Sequence, residues 1–331
     1  MTHFDSAHPG SINAEQVQCV EAIAPATIAN LGPGFDILGL ALAEPFDRVI
    51  AERTDAPGLQ ITQITGDGGR LSRDPTRNTA GVSALYVLRQ LGIRAGVSMI
   101  IHKGLPLASG LGSSAASAVA GAMAINALFG DQLSRLQLLD ACVEGEALVS
   151  GRHADNVAPA LIGGIVLVMG VTAETVYPLP TPPGLILALV TPNVAVPTAQ
   201  ARAVLPKQVD LHLAVQQAAA VAQVVAALYT GDIPTLARAM EADKIIEPAR
   251  AHLMPGLAAV RAAAARVGGL ATVISGAGPT LCTVCPSEEI AQRVVDAMND
   301  VYKSLNLACV TRVTRPSPNG ATTRIIKPVA N

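Results

Sequence analysis

The segment Gly104-Leu-Pro-Leu-Ala-Ser-Gly-Leu-Gly-Ser-Ser-Ala-Ala-Ser117 separates a predicted strand from a long predicted helix. At such a junction, backbone N–H groups and the helix dipole can receive an anion. Gly110 and Gly112 allow the backbone to approach a ligand closely. The hydroxyls of Ser113 and Ser114 can cap the helix or reach a phosphate or its magnesium ion. The segment therefore predicts a phosphate-binding loop.

Two common nucleotide-binding patterns are missing from this loop. A Gly-x-Gly pair alone is typical of a tight turn with a serine cap, but here the match extends over the whole segment. The segment has no GxxxxGK[ST] pattern, so it is not a Walker A loop. It also lacks Gly-x-Gly-x-x-Gly/Ala followed by an acidic residue on a second strand, which disfavours a dinucleotide-binding fold.

Composition limits the class of protein and of partner. The length of 331 residues, half of them apolar, predicts two domains that each bury a core. With no Trp, four Tyr and four Phe, the core must be built from small aliphatic side chains, so backbones should pack closely. The net charge of −2, without a Lys/Arg run, argues against a nucleic-acid binder and favours a small-molecule partner.

Localisation and cysteine chemistry are also constrained. The N-terminus lacks the pattern of a secretory signal, and the most apolar stretch, 115–129, is too short to span a membrane. Five scattered cysteines fit the reduced thiols of a cytoplasmic protein. Cys282 and Cys285 form a CxxC within a strand pattern, where residues three apart point to opposite faces, so we interpret both as structural.

Strands and helices mix along the chain without strict alternation, which favours an α+β fold. The proline-rich stretch 178–184 reads as a linker because successive prolines block helix and ladder pairing. We therefore predict a loose tail at 1–18, an N-terminal domain at 19–183 and a C-terminal domain at 184–331. The predicted strands are 17–23, 46–53, 59–64, 97–102, 165–169, 185–191, two flanking Gly276-Ala-Gly-Pro279, and 308–315. The predicted helices are 79–91, 115–129, 133–149, 198–204, 211–229, 234–246, 256–267 and 288–305.

Three segments together resemble the signatures of the GHMP kinases, which are ATP-dependent kinases of small molecules. They are Ala24-Pro-Ala-Thr-Ile-Ala-Asn-Leu-Gly-Pro-Gly-Phe-Asp36, Pro106-Leu-Ala-Ser-Gly-Leu-Gly-Ser-Ser-Ala-Ala116 and Ile274-Ser-Gly-Ala-Gly-Pro-Thr280. The resemblance implies an N-terminal domain like domain 2 of ribosomal protein S5 and a ferredoxin-like C-terminal domain. It places the active site in the cleft between them and implies ATP and Mg²⁺ as cofactors.

The same resemblance implies a set of nucleotide and metal contacts. Asn78 matches a position that contacts the base, although a helix N-cap is an equally ordinary role for it. Ser114 and Glu146 match the magnesium ligands, with Glu144 as an alternative two residues away. The implied phosphate contacts are Pro106, Leu107, Ala108, Ser109, Gly110, Leu111, Gly112, Ser113, Ser114, Ala115 and Ala116.

The string His153-Ala-Asp-Asn-Val-Ala-Pro-Ala160 resembles the branch of the family that acts on L-homoserine, although a polar turn alone explains any one of its residues equally well. That branch implies a role in threonine biosynthesis, and homodimers are common in it. An ammonium needs carboxylate or amide acceptors and a carboxylate needs arginine. The implied substrate ligands are Asn30, Asp36, His153, Asp155, Asn156, Arg202 and Arg250.

Phosphoryl transfer to an alcohol depends on alignment and charge neutralisation more than on a strong base. The implied catalytic residues are Asp155, Asn156 and Arg202. Asp155 can accept the hydroxyl proton or bind the substrate ammonium, and both roles stay open. Two alternatives also stay open: a kinase of mevalonate or a related alcohol, and a catalytically silent sensor with the same fold.

Overall fold

The computed structural model describes residues 17–328, so the predicted tail at 1–18 lies outside it except for its last two residues. The strands are β1 (Cys19–Ala29), β2 (Leu38–Thr54), β3 (Leu59–Thr65), β4 (Gly96–His102), β5 (Ile165–Val168), β6 (Val176–Leu179), β7 (Ile186–Pro192), β8 (Ala271–Ile274), β9 (Leu281–Cys285), β10 (Cys309–Thr314) and β11 (Thr322–Ile325). The helices are α1 (Thr79–Gln90), α2 (Ser113–Leu128), α3 (Leu139–Ala147), α4 (Val157–Ile162), α5 (Thr198–Ala203), α6 (Leu211–Thr230), α7 (Ile233–Met240), α8 (Ile246–Arg250), α9 (Leu257–Arg266) and α10 (Glu288–Ser304).

The described strands form two sheets. One runs in the order β11-β1-β2-β4-β3, with β5 paired to β2 and β6 paired to β5, and all its pairs are antiparallel except β3 with β4. The other is antiparallel, in the order β10-β7-β9-β8. This mixture of antiparallel sheets and helices confirms the predicted α+β class.

The helix α2 lies at the centre of the first sheet's core and contacts β1, β2, α1 and α3. Nearly all of its residues are buried, many of them alanine. A Cβ at Gly121 would collide with the backbone oxygen of Ala80 in α1, so only glycine permits this helix contact. The scarcity of aromatic residues is therefore compensated by close backbone approach, as the composition predicts.

The second sheet separates two apolar clusters. Cys282 belongs to the cluster shared with the first sheet, whereas Cys285 belongs to the cluster formed with α9 and α10. The two thiols therefore lie on opposite faces of β9, as the strand pattern predicts. Burial raises the pKa of Cys285 to about 12.

Two features of the strand pairing bear on the predicted domain limits. Pro178, assigned to a linker, lies in β6, which pairs only with β5 among the described strands, and an edge strand tolerates a missing N–H donor. β11 pairs with β1, so the end of the chain completes the first sheet. The limits 19–183 and 184–331 stay a prediction, and β11 is a strand from beyond residue 183 that pairs within the first sheet.

The predicted helix at 234–246 is confirmed at its start by α7 but ends earlier, at Met240, and α8 follows from Ile246. The carboxylate of Asp243 accepts N–H groups from Ile245, Ile246 and Glu247 and so begins a new helix. Elsewhere, α6 is the one described helix whose length and composition would allow it to cross a membrane, which for a single helix is weak evidence.

Candidate active site

A cleft of about 370 Å³ lies between the phosphate loop, the turn after β1, the segment after α3, α5 and the turn between β8 and β9. The predicted site residues that line it are Asn30, Asp36, Leu107, Ala108, Ser109, Gly110, Gly112, Ser113, Ser114, Glu146, His153, Asp155, Asn156, Arg202 and Arg250. Pro106, Leu111, Ala115 and Ala116 belong to the loop and helix but do not line the cleft. The fold thus gathers residues that are distant in sequence.

The loop is held by the glycine-rich motif at residues 274–280. Ser275 Oγ donates a 2.7 Å hydrogen bond to the Gly110 carbonyl, and Thr280 Oγ1 donates a 2.6 Å bond to the Ser109 carbonyl. Gly110 has φ of 79°, and a Cβ there would lie 2.5 Å from the Ser275 carbonyl oxygen. Glycine is therefore required at this contact.

The helix α2 begins without a side-chain cap. Gly112, with φ of 63°, takes the N-cap position, where a Cβ would collide with Thr27 Oγ1. Ser113 and Ser114, predicted as possible caps, donate instead to the Leu105 carbonyl at 3.4 Å and to Glu146 Oε1 at 3.0 Å. Because no side chain caps the first turn, its N–H groups remain available to an anion.

Of the two candidate glutamates, Glu146 and Glu144, it is Glu146 that lines the cleft. Its Oε1 accepts hydrogen bonds from Ser114 and Ser150, whereas its buried Oε2 has no hydrogen-bond partner among the described residues. Burial raises the pKa of Glu146, and the two serine hydroxyls partly offset that rise. Glu144 instead lies at the surface, where it forms a 2.5 Å ion pair with Arg152.

The Glu146 and Ser114 pair fits a magnesium ion better than a metal held by protein alone. Residues 17–328 contain no cluster of three or more His, Cys, Asp or Glu side chains that could bind a metal. Mg²⁺ typically binds through one or two carboxylates and the phosphates of its substrate. A buried carboxylate oxygen without a partner, beside a hydroxyl and an open helix N-terminus, is such a donor set.

A buried lysine beneath the loop was missed by sequence reasoning. Lys103 Nζ donates to Asp47, to Ser117 Oγ at 2.7 Å and to the Ser113 carbonyl at 2.8 Å. Asp47 also accepts the N–H of Gly104 at 2.9 Å. Burial lowers the pKa of Lys103, and the charge of Asp47 opposes that shift. A lysine directly before the loop and an aspartate in an apolar strand were the available signals.

At the other end of the cleft, Asp36 and Arg202 form a bidentate ion pair. Arg202 Nη1 and Nη2 lie 3.0 and 2.7 Å from the two carboxylate oxygens, and Arg202 Nε is buried without a described hydrogen-bond partner. His153 Nδ1 lies 3.7 Å from Asp36 Oδ2. Burial lowers the pKa of His153. Opposite charges are therefore presented side by side.

The turn that carries Asp36 is shaped by Asn30. Both residues adopt positive φ, 75° for Asn30 and 60° for Asp36, which is uncommon outside glycine. Asn30 Oδ1 accepts the Asp36 N–H at 3.3 Å, and its Nδ2 donates to the Gly276 carbonyl at 3.0 Å. Such backbone conformations concentrate at functional sites.

Arg250 is buried rather than a solvated helix-end charge. Its Nε and Nη1 donate at 3.0 Å to the carbonyls of Ala201 and Gly276. Burial, followed by repulsion from Arg202, lowers the pKa of Arg250 to about 10. The ring centroid of Phe35 lies 5.0 Å from the Arg250 guanidinium and 5.2 Å from that of Arg202.

Asp155 and Asn156 lie between the two ends of the cleft. Burial, followed by the charges of Asp36 and Glu146, raises the pKa of Asp155 to about 7. Asn156 Oδ1 accepts a 2.7 Å hydrogen bond from Thr27 Oγ1. A buried carboxyl with this pKa can change protonation near neutral pH.

Asn78 occupies the helix-capping role that the sequence left open. Its Oδ1 accepts from the N–H groups of Ala80 and Gly81, and its Nδ2 donates to the Ser72 carbonyl at 2.9 Å. Asn78 does not line the cleft, whereas the adjacent Thr79 does. A contact between Asn78 and a nucleotide base stays a prediction.

Comparison with known proteins places this architecture in a class. Residues 78–164 match the GHMP kinases N terminal domain, and residues 224–304 match the GHMP kinases C terminal domain. The fold and cleft are thus those of a GHMP kinase, which confirms the predicted two-domain fold.

The particular relatives are homoserine kinases. The chain is 43% identical to homoserine kinase of Arabidopsis thaliana, over 86% of this chain and 78% of the relative. It is 39% identical to that of Chlorobium phaeobacteroides strain BS1, over 87% and 93%. The crystal structure of homoserine kinase from Cytophaga hutchinsonii has 41% identity, a TM-score of 0.89 and coverage of 96% and 100%. The chain therefore belongs to the homoserine kinase family within the GHMP kinases.

Proposed function

We propose that this protein transfers the γ-phosphoryl group of ATP to the hydroxyl of L-homoserine, forming O-phospho-L-homoserine for threonine biosynthesis. The observation that carries the proposal is the arrangement of one cleft. An uncapped helix and its glycine loop lie on one side, and the Asp36–Arg202 pair lies on the other. The first side suits a polyphosphate and the second suits an amino acid.

Nucleotide binding is assigned to the loop and to the start of α2. The N–H groups of the loop and first helical turn would surround the phosphates. Ser114 and Glu146 would hold Mg²⁺, whose positive charge neutralises phosphate oxygens during transfer. Lys103 fixes the loop from below through the Ser113 carbonyl, and its charge is balanced by that of Asp47.

Substrate recognition would exchange one ion pair for two. L-homoserine carries an ammonium and a carboxylate, so Asp36 is the acceptor for the first and Arg202 and Arg250 are donors for the second. The bidentate pair in the described structure keeps both ligands charged and adjacent before substrate binds. His153 lies beside Asp36 and would orient its carboxylate. Asn30 positions the turn that carries Asp36, and Asn156 would position the substrate hydroxyl.

Asp155 has two roles that its environment supports. With its pKa raised to about 7 by burial and by neighbouring carboxylates, it can accept the hydroxyl proton at neutral pH. As a carboxylate it can also accept a hydrogen bond from the substrate ammonium. The first role acts on kcat and the second on KM for homoserine, so kinetics distinguish them.

The decisive experiment measures ADP release with Mg-ATP and L-homoserine, mevalonate, shikimate or no acceptor. We expect ADP with homoserine alone. ADP with another alcohol only would contradict the substrate while retaining kinase activity. ATP binding without turnover on any acceptor would favour the sensor alternative.

We also propose that the protein is cytoplasmic and forms a homodimer. Size-exclusion chromatography with light scattering measures its molar mass and so tests the dimer.

A further inference from the structure

Phe35 lies in the turn between β1 and β2, directly before Asp36. Its ring is half-buried and lines the cleft. Arg202 is therefore contacted by two consecutive residues, the Phe35 ring at 5.2 Å and the Asp36 carboxylate through two hydrogen bonds. Phe35 belongs to the first glycine-rich motif, but none of the roles assigned above uses it.

The same ring also lies 5.0 Å from the guanidinium of Arg250. Two arginines that converge on one cleft repel each other, and Arg250 is buried where water screens that repulsion poorly. An aromatic face carries a negative quadrupole that attracts a cation within about 6 Å of its centroid. Both distances fall within that range, so one ring stabilises both charges.

The ring contact does not compete with a ligand for N–H groups. Asp36 occupies Nη1 and Nη2 of Arg202, and two backbone carbonyls occupy Nε and Nη1 of Arg250. If Asp36 turns to a substrate ammonium, Arg202 loses its hydrogen-bond acceptor but keeps the ring. The contact between Arg202 and the Phe35 ring therefore persists when Arg202 exchanges Asp36 for the substrate carboxylate.

We propose that Phe35 is a positioning residue that holds Arg202 and Arg250 together, through cation–π contacts, as one binding site for the carboxylate of an amino-acid substrate. This inference rests on the proposed function. It predicts an effect confined to the amino-acid end of the cleft, because the phosphate loop makes no use of the ring.

The test compares Phe35→Leu with a series in which Phe35 is replaced by mono-, di- and trifluorinated phenylalanine. Fluorination keeps the ring's shape and weakens its quadrupole. We expect Phe35→Leu to raise KM for homoserine about tenfold, the sum of two modest cation–π contacts. KM for Mg-ATP should stay unchanged, and log KM for homoserine should rise stepwise with each added fluorine.

Phe129→Leu is the matched control. The Phe129 ring lies 4.2 Å from the guanidinium of Arg53, away from the cleft, so its loss should leave KM for homoserine unchanged. A fluorinated series with constant KM would overturn the inference, even if Phe35→Leu raised KM, because shape alone would then explain the effect.

A second measurement separates this inference from the proposed function. Nε–Hε signals of Arg202 and Arg250, assigned in NMR spectra through arginine-to-lysine variants, should carry a ring-current shift that Phe35→Leu removes. Unshifted signals would overturn the role of Phe35. Absence of homoserine-dependent ADP from the unsubstituted protein would overturn the proposed function instead, with the NMR result still deciding whether the ring holds both arginines.

Discussion

Ser114 Oγ donates a 3.0 Å hydrogen bond to Oε1 of Glu146 and thereby joins the start of α2 to α3 at the phosphate end of the cleft. The second oxygen of Glu146 is buried and has no hydrogen-bond partner in the described residues. A buried carboxylate oxygen without a partner is costly, so its retention indicates a binding role. Glu146 is therefore the acidic residue on which metal-dependent activity should depend.

Glu146→Gln should lower kcat by about 10²–10³, the usual cost of losing one preorganised electrostatic contact. The melting temperature should not fall, because an amide in that buried position avoids the cost of a desolvated charge. Steady-state ADP release across a magnesium titration measures the effect. Glu144→Gln, at the exposed partner of Arg152, is the control and should behave like the unsubstituted protein. Equal losses in both variants would contradict the assignment.

Arg202→Lys should impair homoserine binding almost as much as Arg202→Ala. A lysine keeps the charge but cannot form the two parallel hydrogen bonds that Arg202 makes with a carboxylate. Loss of such a contact costs about 2–5 kcal/mol, which is at least about 30-fold in KM for homoserine. Initial rates at varied homoserine and fixed Mg-ATP measure it. A 30-fold change in KM for Mg-ATP would place Arg202 at the wrong end of the cleft.

Asp155 should give homoserine phosphorylation a pH dependence near neutrality. Because burial raises the pKa of Asp155 to about 7, its charged form grows as pH rises through that value. A rising kcat would assign it as the proton acceptor, and a falling KM would assign it to the ammonium. Asp155→Asn should flatten whichever limb is observed. His153→Gln is the comparison, since burial lowers the pKa of His153 below its usual value, whereas burial raises that of Asp155.

Ionisation of the Asp155 carboxyl should make the folded protein less stable as pH rises. A carboxyl with a raised pKa in the folded state holds its proton better there than in the unfolded chain. Its favourable contribution is complete below about pH 3.8 and is lost as pH rises towards about 7. The melting temperature of the unsubstituted protein should therefore fall relative to that of Asp155→Asn over this window. A constant difference between the two would show that Asp155 has an ordinary pKa.

Gly110→Ala should abolish nucleotide binding and destabilise the fold. Its Cβ would lie 2.5 Å from the Ser275 carbonyl oxygen and 2.7 Å from that of Gly278, so the loop must move away from the glycine-rich motif at residues 274–280. Gly92→Ala is the control, because Gly92 has a similar φ of 67° but no neighbouring atom within 4 Å. The control should lose about 1–2 kcal/mol from backbone strain alone. Denaturant unfolding and ATP titration measure both variants.

The sequence predicted which residues would meet in a cleft, but not how the strands would pair. Short motifs indicate residue types whose chemistry is local, so the loop, Glu146, Asp36 and Arg202 could be named as candidates, and all of them contribute to the lining of one cleft. Strand pairing is not local. Neither the place of Pro178 in β6 nor the pairing of β11 with β1 leaves a sign in neighbouring residues.

Contacts between buried side chains were a second kind of feature that could not be predicted from the sequence. Lys103, directly after β4, forms an ion pair with Asp47 of β2, and the two meet because the strand register pairs the adjacent His102 with Arg48. Phe35 was named within a motif, but its position beside Arg202 and Arg250 depends on helices from the other half of the chain. Such contacts depend on the tertiary structure, which cannot be deduced from local patterns in a single sequence.

The pairing of β11 with β1 also bears on how the chain is made, because synthesis runs from the N-terminal to the C-terminal side. β1 leaves the ribosome early, whereas its partner is the last of the described strands to emerge. Throughout synthesis, one edge of the first sheet presents unpaired N–H and C=O groups, which other chains can capture. The finished edge thus depends on synthesis of the chain through residue 325, and a product of translation that stops before β11 would retain a strand edge prone to aggregation.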